Sequence, residues 1–449
     1  MLEKYSIQEL ICNCGKCNKQ LFFTAVLFFM RMYGILFRSG KNKKGVAEMQ
    51  LWKKNLLFVW LSQICSLAGF ASIMPFIPLY IKWKFGVTDE GELGVQVALF
   101  NFFGMLSFCL AAPLWGYLAD KYGRKLMILR SCFVSAAVFP TLIFAPDIVL
   151  LTLGRFVMSA FSGTVTAAQT FIASNTPEEH QGFALGTLST SIWSGHLFGF
   201  MIGSAVVHYF GFYAGFLAGS CLLALAGLLA LLFVKEDFVP LNVPQEKTEK
   251  RSFFASLTGW DALIWIIMAL FIMMGLARRF DEPYLPIMLE HFIAEDRVVP
   301  ATGLINAVVA VGGIISGVTL GKLCDKVGAM RVAYPVIIVA GACAFVQAAA
   351  MNVIPFAVAR FITYTAAGGL EPVFQTMLSK AAPPEKRGTL FGLVSSLRMT
   401  GILCSALLAG GVIWMGGVRA VYYVTACLFV LLLPLTWFSD QFRRRNMAQ

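Results

Sequence analysis

Between Asn55 and Phe438 the chain is a succession of long apolar runs, parted by short charged or glycine-rich stretches. A helix needs about 20 mainly apolar residues to cross the hydrocarbon of a bilayer. Inside hydrocarbon every backbone polar group must find its partner within protein, so continuous runs of this length fold as helices. A membrane-spanning barrel would instead show short alternating segments. With 58% of its 449 residues hydrophobic and 13% charged, the chain is too apolar for a water-soluble globule. The expected fold class is an all-α membrane protein.

The runs place twelve spans, at about 55–81, 93–115, 125–144, 148–172, 183–208, 212–234, 260–289, 299–320, 331–351, 354–379, 389–414 and 417–438. They divide the chain into an extension (1–50), a first six-helix bundle (51–234), a linker (235–259), a second six-helix bundle (260–438) and a basic tail (439–449). In the extension, Leu21 to Phe37 is apolar but short and is interrupted by Arg31, which leaves both a thirteenth span and an interfacial helix open. Cys12, Cys14 and Cys17 lie close together, but a structural zinc site wants four ligands and no fourth is near, so neither metal nor cofactor is expected. Of the 11 cysteines, eight fall in or beside the spans and read as small apolar residues.

The formal net charge of +12 raises the question of a nucleic-acid partner, and its distribution argues against one. Basic residues crowd one set of loops, among them Lys53, Lys54, Lys121, Arg124, Lys125, Lys250, Arg251, Lys386, Arg387 and Arg443 to Arg445. The opposite loops carry few, chiefly Lys82, Lys84 and Arg297. Such a bias places the basic loops and both termini in the cytoplasm. The membrane is then a plasma membrane, or the inner membrane of a Gram-negative cell.

Gly116 to Lys125 reads Gly-Tyr-Leu-Ala-Asp-Lys-Tyr-Gly-Arg-Lys, a charged stretch expected as a short loop at the membrane surface. One spacing relates Gly116 to Gly321, Asp120 to Asp325 and Gly123 to Gly328, with Arg124 echoed by Arg331 close behind the second copy. Pro75 and Pro78 recur as Pro283 and Pro286, Arg155-Phe156 as Arg360-Phe361, and Gly163 as Gly368. Half-to-half repetition of this kind marks carriers that rock two bundles about a site near mid-membrane. The paired glycine-rich stretches resemble the signature of the major facilitator superfamily. That resemblance implies a twelve-helix secondary transporter with helices one, four, seven and ten around a central cavity. It also implies a gating role for Gly116, Asp120, Gly123, Arg124, Gly321, Asp325 and Gly328. Met49-Gln-Leu-Trp-Lys-Lys-Asn resembles the usual beginning of such a transporter, which suggests that residues 1–48 are accessory.

Within the spans, charges are costly and mark function or pairing. Arg155 follows Leu151 as in a family motif linked to proton coupling, with Met158 and Ser159 where the family carries glutamine and glycine. Gly195, Gly199 and Gly203 form a ridge at four-residue spacing that permits close helix packing. The ridge resembles the antiporter motif of the family, with Phe200 where a proline is expected. Neighbouring His196 has the side chain of a proton carrier, or is simply hydrogen-bonded. In helix seven, Arg278 is placed to pair with Asp281 and Glu282 at helical spacing. That cluster serves either as a structural ion pair or as a cavity site. Glu371 lies about 20° around helix ten from Arg360 and about 16.5 Å along it, on one polar stripe. Arg398 in helix eleven is a further buried charge. Arg155, Arg278, Asp281, Glu282, Glu371 and Arg398 are therefore the candidates for proton coupling or substrate binding.

His291 and Asp296 form a His-x4-Asp pattern that resembles an acyltransferase signature, best taken as chance in a chain with these repeats. No P-loop is present. The chain is expected to be a transporter, not an enzyme. It would act as a monomer, exchanging protons for a small hydrophobic drug or metabolite. The alternatives are a carrier of an anionic metabolite and, from another class, a non-transporting receptor or acyltransferase.

Overall fold

A computed structural model describes residues 51–236, 262–381 and 387–448. The extension with its cysteine trio, most of the linker, and the side chains of Gly321, Asp325 and Arg443 to Arg445 lie outside the described residues. Within them every element is an α- or 3-10-helix. Ten stretches are long and apolar enough to cross a membrane. Two, Glu178–Phe233 with 56 residues and Arg387–Ala448 with 62, would far outreach a bilayer if straight. Each is broken at one glycine of positive φ, Gly211 (82°) or Gly417 (73°), and so contains two spans. The described residues therefore contain twelve.

In chain order, α1 is Leu51–Phe85, α2 Glu90–Tyr122, α3 Arg124–Phe144 and α4 Ile148–Asn175. The arms of Glu178–Phe233 are α5 and α6. In the second half α7 is Ala262–Glu290, α8 Glu295–Val327, α9 Ala329–Ala349 and α10 Val353–Ser379. The arms of Arg387–Ala448 are α11 and α12.

The charged stretch 116–125 is not the loop expected of it. Helix α2 runs through Gly116 and Asp120 to Tyr122, and Gly123 alone (φ 96°, ψ 155°) turns the chain into α3. Gly328 (φ 91°, ψ 147°) makes the same turn between α8 and α9. The reason is length. The 33 residues of α2 extend about 50 Å, so its charged end stays helical in water beyond the membrane. For the same reason α12 continues as helix past residue 438, where a tail was expected.

The four cavity-type helices are each interrupted. Pro75 sits in a 3-10 turn in α1 and Pro283 in one in α7, since proline removes a donor and crowds the carbonyl one turn back. Helix α4 breaks at Gly163 (φ 115°) and α10 at Gly369. Asp147 and Asn352 cap the equivalent starts of α4 and α10, accepting from Leu150 N and Ile354 N. The repeat read in the sequence is thus a repeat of backbone breaks.

The two ends of the bundle differ. At the end carrying Lys82 and Glu290, one apolar core draws on both halves, joining Phe76, Tyr80 and Phe100 to Tyr284, Met288, Ile413 and Tyr422. At the end carrying Gly116 the cores are separate, one confined to the first half and one to the second. The α5–α8 seam holds from Ser204, whose hydroxyl donates to Val299 O, down to Trp193, which lies against Gly313. Beyond it Gly116, Gly186, Gly317 and Gly392 have open space where a side chain would stand.

Candidate functional site: a charged cluster between the halves

The interruption of α7 turns a run of charges inward. Asp281 occupies the N-cap of the short turn before Tyr284, and it is 2% exposed. Arg360 of α10 is 1% exposed, and its Nη1 donates to Asp281 Oδ2 at 2.6 Å. Tyr364, one turn on from Arg360, donates from its hydroxyl to Asp281 Oδ1 at 3.0 Å. Gln347 of α9 approaches the same guanidinium at 3.5 Å and donates to Thr363 at 2.8 Å. Two ions taken from water require such saturation by neighbours, because neither retains its hydration.

On the far side of the α10 break lies a looser group. Glu371 has Arg278 Nη1 at 3.4 Å and Arg398 Nε at 3.7 Å, with all three side chains between a fifth and a third exposed. Arg279 pairs with Glu282 one turn along. His196 of α5 lies within electrostatic range of both, so this pair faces the first half across the space between the bundles. Gly275 and Gly401 let α7 and α11 touch backbone to backbone, and this contact sets Arg398 beside Glu371.

The expected pairing inside helix seven is therefore corrected. Arg278 bonds to α10, Asp281 bonds to α10, and only Arg279 keeps a partner on its own helix. The single stripe through Arg360 and Glu371 is corrected too. Helix α10 breaks at Gly369 between them, and each acid–base pair forms at its own depth. Tyr364 and Gln347 were not singled out from the sequence. Tyr364, one turn from a buried arginine, was the available signal.

Arg155, the first-half counterpart of Arg360, has no carboxylate partner among the described residues. Its guanidinium lies 5.6 Å from the centre of the Phe100 ring, and its Nε is buried without an acceptor. Gly104 of α2 makes room for it, since a Cβ there would stand 2.8 Å from that Nε. By the alignment of Pro283 with Pro75, the position matching Asp281 is Ile73, so the repeat supplies no acid.

Gly195, Gly199 and Gly203 pack α5 against α1, where added Cβ atoms would meet Leu67, Ala71 and the backbone of Ser72. At the closed end Lys82 bonds to Glu290 at 2.8 Å, and His291 lies 2.9 Å from Glu90. Glu90 also accepts from Val418 N at the start of α12. Each of these contacts joins the two halves. Asp120 and Gly116 at the other end are exposed and make no bond across the halves among the described residues.

Two pseudo-equivalent six-helix bundles, closed together at one end and parted at the other around a buried charged cluster, define a membrane transporter of the alternating-access kind. The sequence profile of the Major Facilitator Superfamily matches residues 59–345 and 283–446, and the chain belongs to that family. It is 31% identical over 399 residues to the multidrug resistance protein MdtG of Serratia proteamaculans, covering 89% of this chain and 96% of that one. To the MdtG of Proteus mirabilis it is 30% identical over 399 residues, covering 88% and 98%. Among solved structures, the nucleoside transporter NupG matches with a TM-score of 0.70 at 13% identity over 86% of this chain and 99% of that one. A bacterial homolog of the human lysosomal transporter Spinster, inward-facing and unoccupied, matches at 0.69 and 13% identity over 88% and 98%.

Proposed function

We propose that the chain exports hydrophobic drugs in exchange for protons, working as a monomer. The Gly116 end and both termini are then cytoplasmic, which makes the conformation described here cytoplasm-open. The multidrug relatives support the substrate class, and the excess of basic residues on the Gly116 side supports the orientation.

The observation that carries the proposal is the unequal hold on two acids. Asp281 is sealed by short bonds, whereas Glu371 is shared by two arginines at longer range and stays reachable from the space between the bundles. A carboxylate that exchanges an arginine for a proton keeps its charge compensated in either state. Glu371 is accordingly the proton carrier, and Arg278 and Arg398 are the groups that displace its proton. In proteoliposomes, Glu371→Gln abolishes accumulation driven by a pH gradient while substrate binding persists, because the amide mimics the protonated acid. Substrate-induced proton release that survives in Glu371→Gln but disappears in Asp281→Asn or Glu282→Gln moves the coupling site to α7.

A second proposal is favoured by Arg155. An arginine without a carboxylate partner among the described residues, beside an aromatic ring, suits an anionic substrate. Counterflow with a lipophilic cation and with an organic anion separates the two: exchange of the anion alone overturns the drug assignment.

A further inference from the structure

The turns into α3 and α9 are copies of each other, yet the N–H groups they expose meet different fates. The first N–H groups of a helix have no partner within it and carry the positive end of its dipole. At α3 the carboxylate of Glu236 accepts from Arg124 N at 3.0 Å and Lys125 N at 2.8 Å. Glu236 reaches them because α6 ends at Phe233 and the chain bends back. Helix α12, its counterpart, continues to Ala448 and delivers no such group. Among the described residues, no side chain caps α9. In that place is a cleft between Gly328–Arg331, Leu263 and Ile267 of α7, and Ser439 of α12. Ser439, which lines the cleft, is wholly buried, and its hydroxyl has no partner. Arg331 is exposed and makes no ion pair among the described residues. The adjacent acid, Asp440, has a partner of its own and does not line the cleft.

We propose that this cleft binds the phosphate of an anionic phospholipid. Among the described residues that line it, the polar groups are the free N–H groups of α9, the Ser439 hydroxyl and the Arg331 guanidinium, all donors or a hydroxyl. The fitting ligand accepts several hydrogen bonds and carries negative charge. Leu263 and Ile267 supply an apolar wall for an acyl chain, and the cleft lies at the charged end of the bundle. Lipid phosphate does for α9 what Glu236 does for α3.

The test uses the full chain, purified in detergent and stripped of lipid, with the thermal midpoint followed on titration. Dioleoylphosphatidylglycerol is expected to raise the midpoint saturably, while a neutral diacylglycerol and inorganic phosphate at equal concentration are not. Ser439→Ala and Arg331→Gln each weaken the apparent lipid affinity by about fivefold, the worth of one hydrogen bond. Ser439→Ala leaves the lipid-free midpoint unchanged, because its hydroxyl has nothing to lose. Lys54→Gln, at the same membrane surface but away from the cleft, retains the wild-type affinity. Equal protection by inorganic phosphate overturns the lipid assignment. An unchanged lipid affinity in both cleft variants overturns the site.

Discussion

At the scale of single residues, the two halves use one arginine position in opposite ways. Arg360 is locked to Asp281 in a pocket closed to solvent, and removing one partner strands the other. Asp281→Asn and Arg360→Gln are each expected to cost about 3–5 kcal/mol, with the double variant milder than either, as measured by denaturation of the purified protein. Arg155 compensates no charge, so Arg155→Gln should keep or raise the thermal midpoint while transport falls. A large loss of stability in Arg155→Gln would show that it has a partner in the resting molecule. All the ionised groups of this cluster except Arg279 and Arg360 were singled out from the sequence as candidates, because charge in an apolar run is conspicuous. Their pairing was not legible. It depends on how closely α7 approaches α11 at Gly275 and on the break in α10 at Gly369, and neither leaves a mark in helical spacing.

At the scale of elements, glycine has two separate duties. Gly123 and Gly328 adopt positive φ and end helices, a conformation that costs other residues roughly 1 kcal/mol or more. Gly199 and Gly203 are helical and act by absence of bulk, letting α5 lie on α1. Gly203→Val should therefore force α1 and α5 apart, costing about 1–3 kcal/mol and lowering the yield of folded protein in membranes. Normal levels and normal melting would show that α1 yields freely. The spacing that relates Gly116 to Gly321 revealed the repeat and that the chain turns between spans near both stretches. It did not reveal that α2 would carry its charges on as helix, because a hydropathy boundary marks where the membrane ends and not where the helix does. The span boundaries near Gly211 and Gly417 were legible, but not that one glycine alone would make each turn.

At the scale of the whole molecule, one end is closed and the other open, and transport requires the reverse arrangement as well. Gly116 has empty space before it here but would face α11 once that end shuts. Gly116→Leu is expected to leave the melting temperature within error and to abolish transport. If transport survives, the α2–α11 contact is not part of closure. The shut end is held mainly by its shared apolar core. Lys82–Glu290 is a partly exposed pair worth about 0.2–1 kcal/mol. Lys82→Ala should thus shift the balance of states by no more than about fivefold, read as faster labelling of a cysteine placed at Tyr284.

With the Lys82 end facing outward, as proposed, the glycine junctions at Gly211 and Gly417 also decide what can be seen of this protein from outside. Consecutive helices at the Lys82 end are joined by a single residue or a very short segment, so almost no chain protrudes there. A protease or an antibody approaching sealed cells from that side has nothing to grip. Cleavage should therefore occur only from the opposite face. A surface tag inserted at Gly211 would have to separate α5 from α6. One inserted after Gly86, where a few residues already lie outside helix, would be displayed with the bundle intact.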